Sequence, residues 1–163
     1  MVKTFYPSFV FLFIATSLNA QTLVNQTEVD TLGYPVTSQI YQLATSDTSH
    51  NTYFIQDGYM TGQQSVYEVA KVHNGLIWVT AITGAPGTQT FGLGICQKGN
   101  YVYTTGYSQD STNSLKSAMY TVKLNKTTGD TMWTRAYRGA FDGYNSGAAL
   151  AADDSGNVYV VGT

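Results

Sequence analysis

Charge is what this sequence has least of. Only 11% of its 163 residues are Asp, Glu, Lys or Arg. No stretch of a dozen residues supplies Glu, Lys, Arg, Ala and Leu at a 3.6 period, which excludes long amphipathic helices. Eight basic residues stand against ten acidic ones. That balance leaves no electrostatic footprint for nucleic acid or an anionic membrane surface. Cys96 is the one cysteine, so no disulfide can form within the chain. With Gly94 and Ile95 before it and a strand signal after it, its thiol reads as a buried, inert core group. The two histidines, His50 in "TSHNT" and His73 in "VHNG", lack a Cys, His or carboxylate at the spacing that completes a metal site. They read as solvated turn residues. The chain contains no Gly-x-Ser-x-Gly elbow, phosphate-cradling loop or His-Glu-x-x-His helix. Carboxylates are scattered singly apart from Asp153-Asp154, so no glycosidase pair can be named. The expectation is no catalytic residue, no cofactor and no resident metal.

Long apolar runs are also missing, with one exception. Lys3 precedes the apolar stretch Phe9 to Leu18 (FVFLFIATSL), and Leu18-Asn19-Ala20 stands before Gln21. This is the plan of a secretory signal peptide over residues 1–20, followed by a lead over 21–37. A membrane anchor is the alternative, but ten to twelve apolar residues fall short of the roughly 20 that a spanning helix needs. The expected location is secreted, cell-surface or periplasmic, with no stable membrane span after cleavage. Without Lys3 the remaining chain has seven basic and ten acidic residues, a net charge near −3.

What is present in quantity is Gly (16), Tyr (13) and Thr, residues that suit strands and tight turns. The fold class is therefore all-β. An internal repeat refines this. "KGNYVYTTG" (Lys98 to Gly106) matches "SGNVYVVG" (Ser155 to Gly162) at an offset of 56 when Val102-Tyr103 is aligned with Val158-Tyr159, and each pair follows a Gly-Asn, Gly99-Asn100 and Gly156-Asn157. Trp78 in "NGLIWVTAI" and Trp133 in "TGDTMWTRAY" are 55 apart, and Lys71 in "YEVAKV" and Lys123 in "YTVKLN" are 52 apart. Between about 89 and 137 four segments have strand length: "QTFGLGICQ", "YVYTTG", "AMYTVKLN" and "TMWTRAY". A poorer first copy over about 38–82 offers "SQIYQLAT", "NTYFIQD", "SVYEVAKV" and "LIWVTAI". Residues 147–163 begin a third. Four short antiparallel strands recurring every 50 to 60 residues is the pattern of a β-propeller blade, whose neighbours bury each other's faces. About two and a half blades are expected, an incomplete ring, over residues 38–163.

Turn chemistry supports the strand boundaries. In "DDSGN" the pair Gly156-Asn157 takes positive φ at low cost, and Asp153 or Asp154 can accept backbone N–H bonds. A calcium site at these carboxylates would need six to eight oxygens, and the matching turn "QKGN" offers a lysine instead, so turn stabilisation is the preferred reading. The alternation in "YVYTT" puts Tyr101 and Tyr103 on one sheet face. There they can line the space between blades or, less simply, form a sugar-stacking platform. Asn25-Gln26-Thr27 and Asn125-Lys126-Thr127 match the glycosylation acceptor pattern.

The stretch "VKLNKTTGDTMWTR" resembles the tryptophan-docking motif of pyrroloquinoline-quinone-like propellers: an acidic residue or Asn, Gly four later, Trp four after that. Asn125, Gly129 and Trp133 fit, while in the first copy Gly75 precedes Trp78 by three. "GNVYVVG" resembles the secreted SBBP-type β-propeller repeat. The resemblance implies that Trp78 and Trp133 staple adjacent blades. It does not carry over a quinoprotein's catalytic aspartate, calcium or vicinal cysteines, because the matching residues are not here. The expected function is a secreted, non-enzymatic binding or structural scaffold for an unknown protein or glycan, with the polar loop Ser108 to Lys116 as a contact region. The alternative is a fragment of an exported quinoprotein-like oxidoreductase. A propeller of 4 to 8 blades needs on the order of 220 to 440 residues, so a longer propeller is expected, with a further Trp near position 188. If the chain stops at 163, an exposed blade edge invites self-association.

Overall fold

The computed structural model describes residues 43–60, 64–84, 87–140 and 143–163. The expected signal peptide and lead, the Asn25 acceptor and most of the first expected strand lie outside them. Among the described residues the fold is all-β, built from ten strands in three antiparallel sheets. No helix in them is long and apolar enough to cross a membrane.

The first sheet runs in the order β1 (Ala44–Ser46), β2 (Thr52–Met60), β3 (Gln64–Val72) and β4 (Leu76–Ile82). The second runs β5 (Thr90–Lys98), β6 (Tyr101–Gln109), β7 (Ser117–Asn125) and β8 (Thr131–Tyr137). The third contains β9 (Gly147–Ala152) and β10 (Val158–Gly162). Each sheet is a meander of hairpins in chain order, which short β-rich segments split by Gly and Asn turns produce. β6 continues three residues past the expected end at Gly106, so the polar loop contracts to 110–116. Ser108 is inside the sheet, paired with Thr90.

Successive sheets pack on one another: β5 lies against β1, β2 and β3, and β9 lies against β5, β6 and β7. Among the described residues they form no closed ring. The core between the first two sheets joins Tyr53, Ile55, Tyr67, Val69 and Ile82 to Val102, Val122 and Leu124. Burying each such aliphatic side chain stabilises by about 1.5–3 kcal/mol relative to exposure. The hydroxyls in this core are matched: Tyr67 and Thr104 share a buried hydrogen bond of 2.8 Å across the two sheets. Burial, slightly offset by that bond, pushes the Tyr67 phenol above its ordinary range.

Glycine in β5 is what allows so close an approach. A Cβ at Gly92 would lie 2.7 Å from the Tyr67 ring, and one at Gly94 would lie 3.1 Å from Leu150 on the opposite side. β5 therefore touches a neighbouring sheet on each face with no side chain of its own at these points. Its ladder with β6 shifts register between Gly92 and Gly94, a bulge of the kind glycine favours.

Candidate functional site

The three sheets share a registered row. Thr45, Tyr53, Lys71 and Trp78 are cross-strand neighbours in the first sheet. Cys96, Tyr103, Lys123 and Trp133 occupy the same places in the second, and Ala151 and Tyr159 begin the row in the third. The surroundings match as well. Tyr53 and Trp78 have ring centroids 6.1 Å apart, and Tyr103 and Trp133 6.4 Å. Lys71 lies 5.8 Å from the Tyr53 ring centroid, and Lys123 lies 5.5 Å from that of Tyr103. In both sheets the ladder shifts register just after the lysine.

Trp78 reaches the next sheet. Its indole Nε1 donates to the Lys126 carbonyl at 3.2 Å, and a Cβ at Gly129 would stand 2.8 Å from its ring. Gly129 has φ +80° and is buried there, so both its conformation and its lack of a side chain are used. Asn125 shapes the same turn, its Oδ1 accepting from the N–H groups of Thr127 and Thr128. Thr80 donates to the Gly129 carbonyl at 2.7 Å. The Asn-x-x-x-Gly unit of one sheet is thus the seat for the tryptophan of the sheet before it. Trp133, half-buried, lies under Arg135. Gly99 and Asn100 form the tight β5–β6 turn, Gly99 at φ +57°.

The turn at the foot of this row repeats where the sequence reading saw no match. Asp47 accepts bonds from the Asn51 backbone and side chain and from the Tyr53 hydroxyl. Asp153 accepts the same three from Asn157 and Tyr159. The motif is Asp-x-Ser-x-Asn-x-Tyr, read as "DTSHNTY" and "DDSGNVY", with His50 at φ +62° where the later copy has Gly156 at φ +84°. Comparing the two "S-x-N-x-Y" strings 106 apart would have found it. Asp153 is the turn carboxylate, while Asp154 instead pairs with Lys98 at 2.8 Å. His50 and His73 are exposed in turns. Cys96 is half-buried rather than fully enclosed; burial raises its thiol pKa against a bond from Ala152.

Asp47 also meets the neighbouring sheet, its Oδ2 lying 3.3 Å from Lys126 Nζ, with the carboxylate side chain 4% exposed. Burial opposes its ionisation, but the bonds from Asn51, Tyr53 and Lys126 outweigh that and hold it well below the usual carboxylate range. The Tyr53 phenol is pushed up, first by burial and then by its bond to Asp47.

The exposed aromatic surface lies at the other end of the second sheet. Tyr103 is 1% exposed and Lys123 covers Tyr101 at 3.5 Å, so these tyrosines are packing groups. Four residues further along β6 a second row crosses the whole sheet: Phe91, Tyr107, Met119 and Tyr137 are successive cross-strand neighbours. Phe91 stacks on Tyr107 at 4.9 Å and 26°, and Tyr107 meets Tyr144 at 5.1 Å. Tyr137 and Tyr144 are both more than half exposed. Beside them Asp110 accepts from Arg138 at 2.7 Å and from the Thr112 backbone and hydroxyl. The Thr112 side chain, then its backbone, then Arg138, hold the Asp110 carboxyl well below its ordinary range. Asn145 fixes the segment that carries Tyr144, exchanging bonds with Ser117 and accepting the Gly139 N–H at 2.8 Å. This is a rigid, partly apolar surface with a fixed ion pair at its rim.

Among the described residues no group of three His, Cys, Asp or Glu is placed to hold a metal ion. Neither the protein-family models nor the curated proteins searched match this chain.

Proposed function

We propose that this chain is an exported β-propeller-type repeat scaffold that binds a glycan or protein partner without transforming it. The carrying observation is the row Phe91, Tyr107, Met119 and Tyr137, extended by Tyr144, next to the Asp110–Arg138 pair. Stacked aromatics offer flat apolar area at low entropic cost, and a fixed ion pair orients whatever lies on them. Such a surface on a rigid sheet, flanked by the loop 110–116, suits recognition. Export rests on the leader pattern of residues 1–20 alone. The propeller reading rests on the blade-like sheets, the shared row and the tryptophan seat. The Asn125, Gly129 and Trp133 spacing that suggests a quinoprotein-like oxidoreductase is accounted for, at Asn125 and Gly129, by the turn that receives Trp78.

The test is an array of glycans and surface proteins probed with the full chain, followed by titration of any hit. Tyr144→Ala is expected to weaken a true ligand about fivefold to tenfold, as loss of one stacking ring implies, and to lower the unfolding midpoint by a few degrees at most, through the lost contact with Tyr107. An array with no signal above background, or a hit insensitive to both Tyr144→Ala and Tyr137→Ala, contradicts the proposal.

A further inference from the structure

The turn between β3 and β4 holds Asn74-Gly75, the one Asn-Gly pair in the chain. Asn74 is exposed at φ +54°, and Gly75 follows at φ +144°. Asparagine and glycine reach positive φ more cheaply than other residues, which is why the hairpin uses them. The same pair sets a carboxamide carbon beside a main-chain nitrogen that no side chain shields. A Cβ built on Gly75 would meet nothing within 4 Å. The turn's own backbone bond runs from the His73 N–H to the Gly75 carbonyl at 2.9 Å, so the Gly75 nitrogen stays outside it. The Asn74 carboxamide makes no hydrogen bond among the described residues.

The other asparagines of the described residues are held or shielded. Asn51 donates to both oxygens of Asp47, and Asn157 donates to Asp153. Asn145 is buried and donates to the Ser117 and Gly143 carbonyls. The Oδ1 atoms of Asn113 and Asn125 are fixed by backbone N–H groups of Leu115 and of Thr127 and Thr128. Asn100 precedes Tyr101, which already belongs to β6. Each of these six is followed by a residue with a side chain.

We propose that Asn74 is a self-modification site, at which the folded chain converts asparagine to aspartate and isoaspartate through a cyclic imide, with water as the co-reactant. The Gly75 main-chain nitrogen gives its proton to solvent and bonds to Asn74 Cγ. The Cγ–Nδ2 bond then breaks, and Nδ2 takes a proton and leaves as ammonia. Water next opens the imide at either carbonyl. Attack at Cγ breaks the new bond and leaves aspartate in a normal main chain; attack at the Asn74 main-chain carbon breaks the old peptide bond and leaves isoaspartate. An exposed turn tip opens locally at small cost, so the fold does not block ring closure. Either product puts a carboxylate on the turn. The isoaspartyl form also adds one main-chain carbon between Val72 and Leu76, next to the point where the ladder already shifts register.

The test ages the full, folded chain in mildly alkaline buffer and labels isoaspartate by enzymatic methyl transfer, then locates the label by tryptic mapping and mass spectrometry. Label is expected to accumulate with time in the peptide Val72 to Lys98, accompanied by the aspartyl form of the same peptide. Asn74→Gln should abolish that label. Because Asn74 is exposed and makes no side-chain bond, this variant should keep the circular dichroism spectrum of the wild type. An aged chain without label, label chiefly in peptides carrying Asn113, Asn125 or Asn157, or label undiminished by Asn74→Gln overturns the proposal. Aspartate at position 74 with no isoaspartate also overturns it, because direct hydrolysis rather than the imide would then be the route.

Discussion

At the scale of single residues, Asp47 does more than its place in a turn suggests. It closes its own hairpin through Asn51 and Tyr53 and reaches the adjacent sheet at Lys126. Hydrogen bonds to a charged group contribute about 1.5–3 kcal/mol each. Asp47→Asn should therefore lower unfolding free energy by about 2 kcal/mol at pH 7, measured by urea denaturation. The pH dependence has a definite sign. A carboxylate whose folded pKa is depressed stabilises at every pH above its unfolded value of about 3.9, and loses that contribution as pH falls toward the folded value. The difference between wild type and Asp47→Asn should be constant near neutrality and shrink below about pH 4. A difference that grows on acidification would contradict this assignment.

At the scale of strands and turns, much of the fold was readable because it is local. "YVYTT", "YTVKLN" and "TMWTRAY" state their strands through β-rich composition and flanking Gly and Asn, and β8 begins and ends where the pattern does. Other features depend on register, which composition does not state. The row Phe91, Tyr107, Met119 and Tyr137 exists only once four strands are aligned, and a bulge at Gly92 and Gly94 sets the first of those alignments. β6 runs on to Gln109 because Ser108 and Thr90 are buried opposite each other, although "SQD" reads as loop. Asn145, polar and in a connection, is buried for its bonds to Ser117, which lies 28 residues away. The turn Asp47 to Asn51 carries no glycine signal in its sequence, because His50 occupies the positive-φ position that Gly156 fills later. A non-glycine residue there costs about 1–3 kcal/mol, set against roughly 0.5–1 kcal/mol for glycine's greater freedom when unfolded. His50→Gly should accordingly raise stability by about 0.5–1 kcal/mol, visible as a higher urea midpoint at unchanged slope. A lower midpoint would show that His50 makes contacts beyond its turn.

At the scale of the molecule, each sheet has one face that only its neighbour covers. Tyr53, Ile55, Tyr67 and Val69 of the first sheet are sealed by Val102, Val122 and Leu124 of the second, and Trp78 and Asp47 are both tied to Lys126. Isolated small sheets are marginal in water unless such a face is packed. The mutual dependence extends to the third sheet through Gly94 against Leu150 and Gly147 against Thr105 and Met119. Hydrogen exchange of Trp78→Ala tests this most directly, because Trp78 is covalently part of the first sheet and seated on the second. Protection should fall in β6 and β7 as well as in β2 to β4. A loss confined to the first sheet, with β6 and β7 exchanging as in the wild type, would contradict the claim that neighbouring sheets hold one another in place.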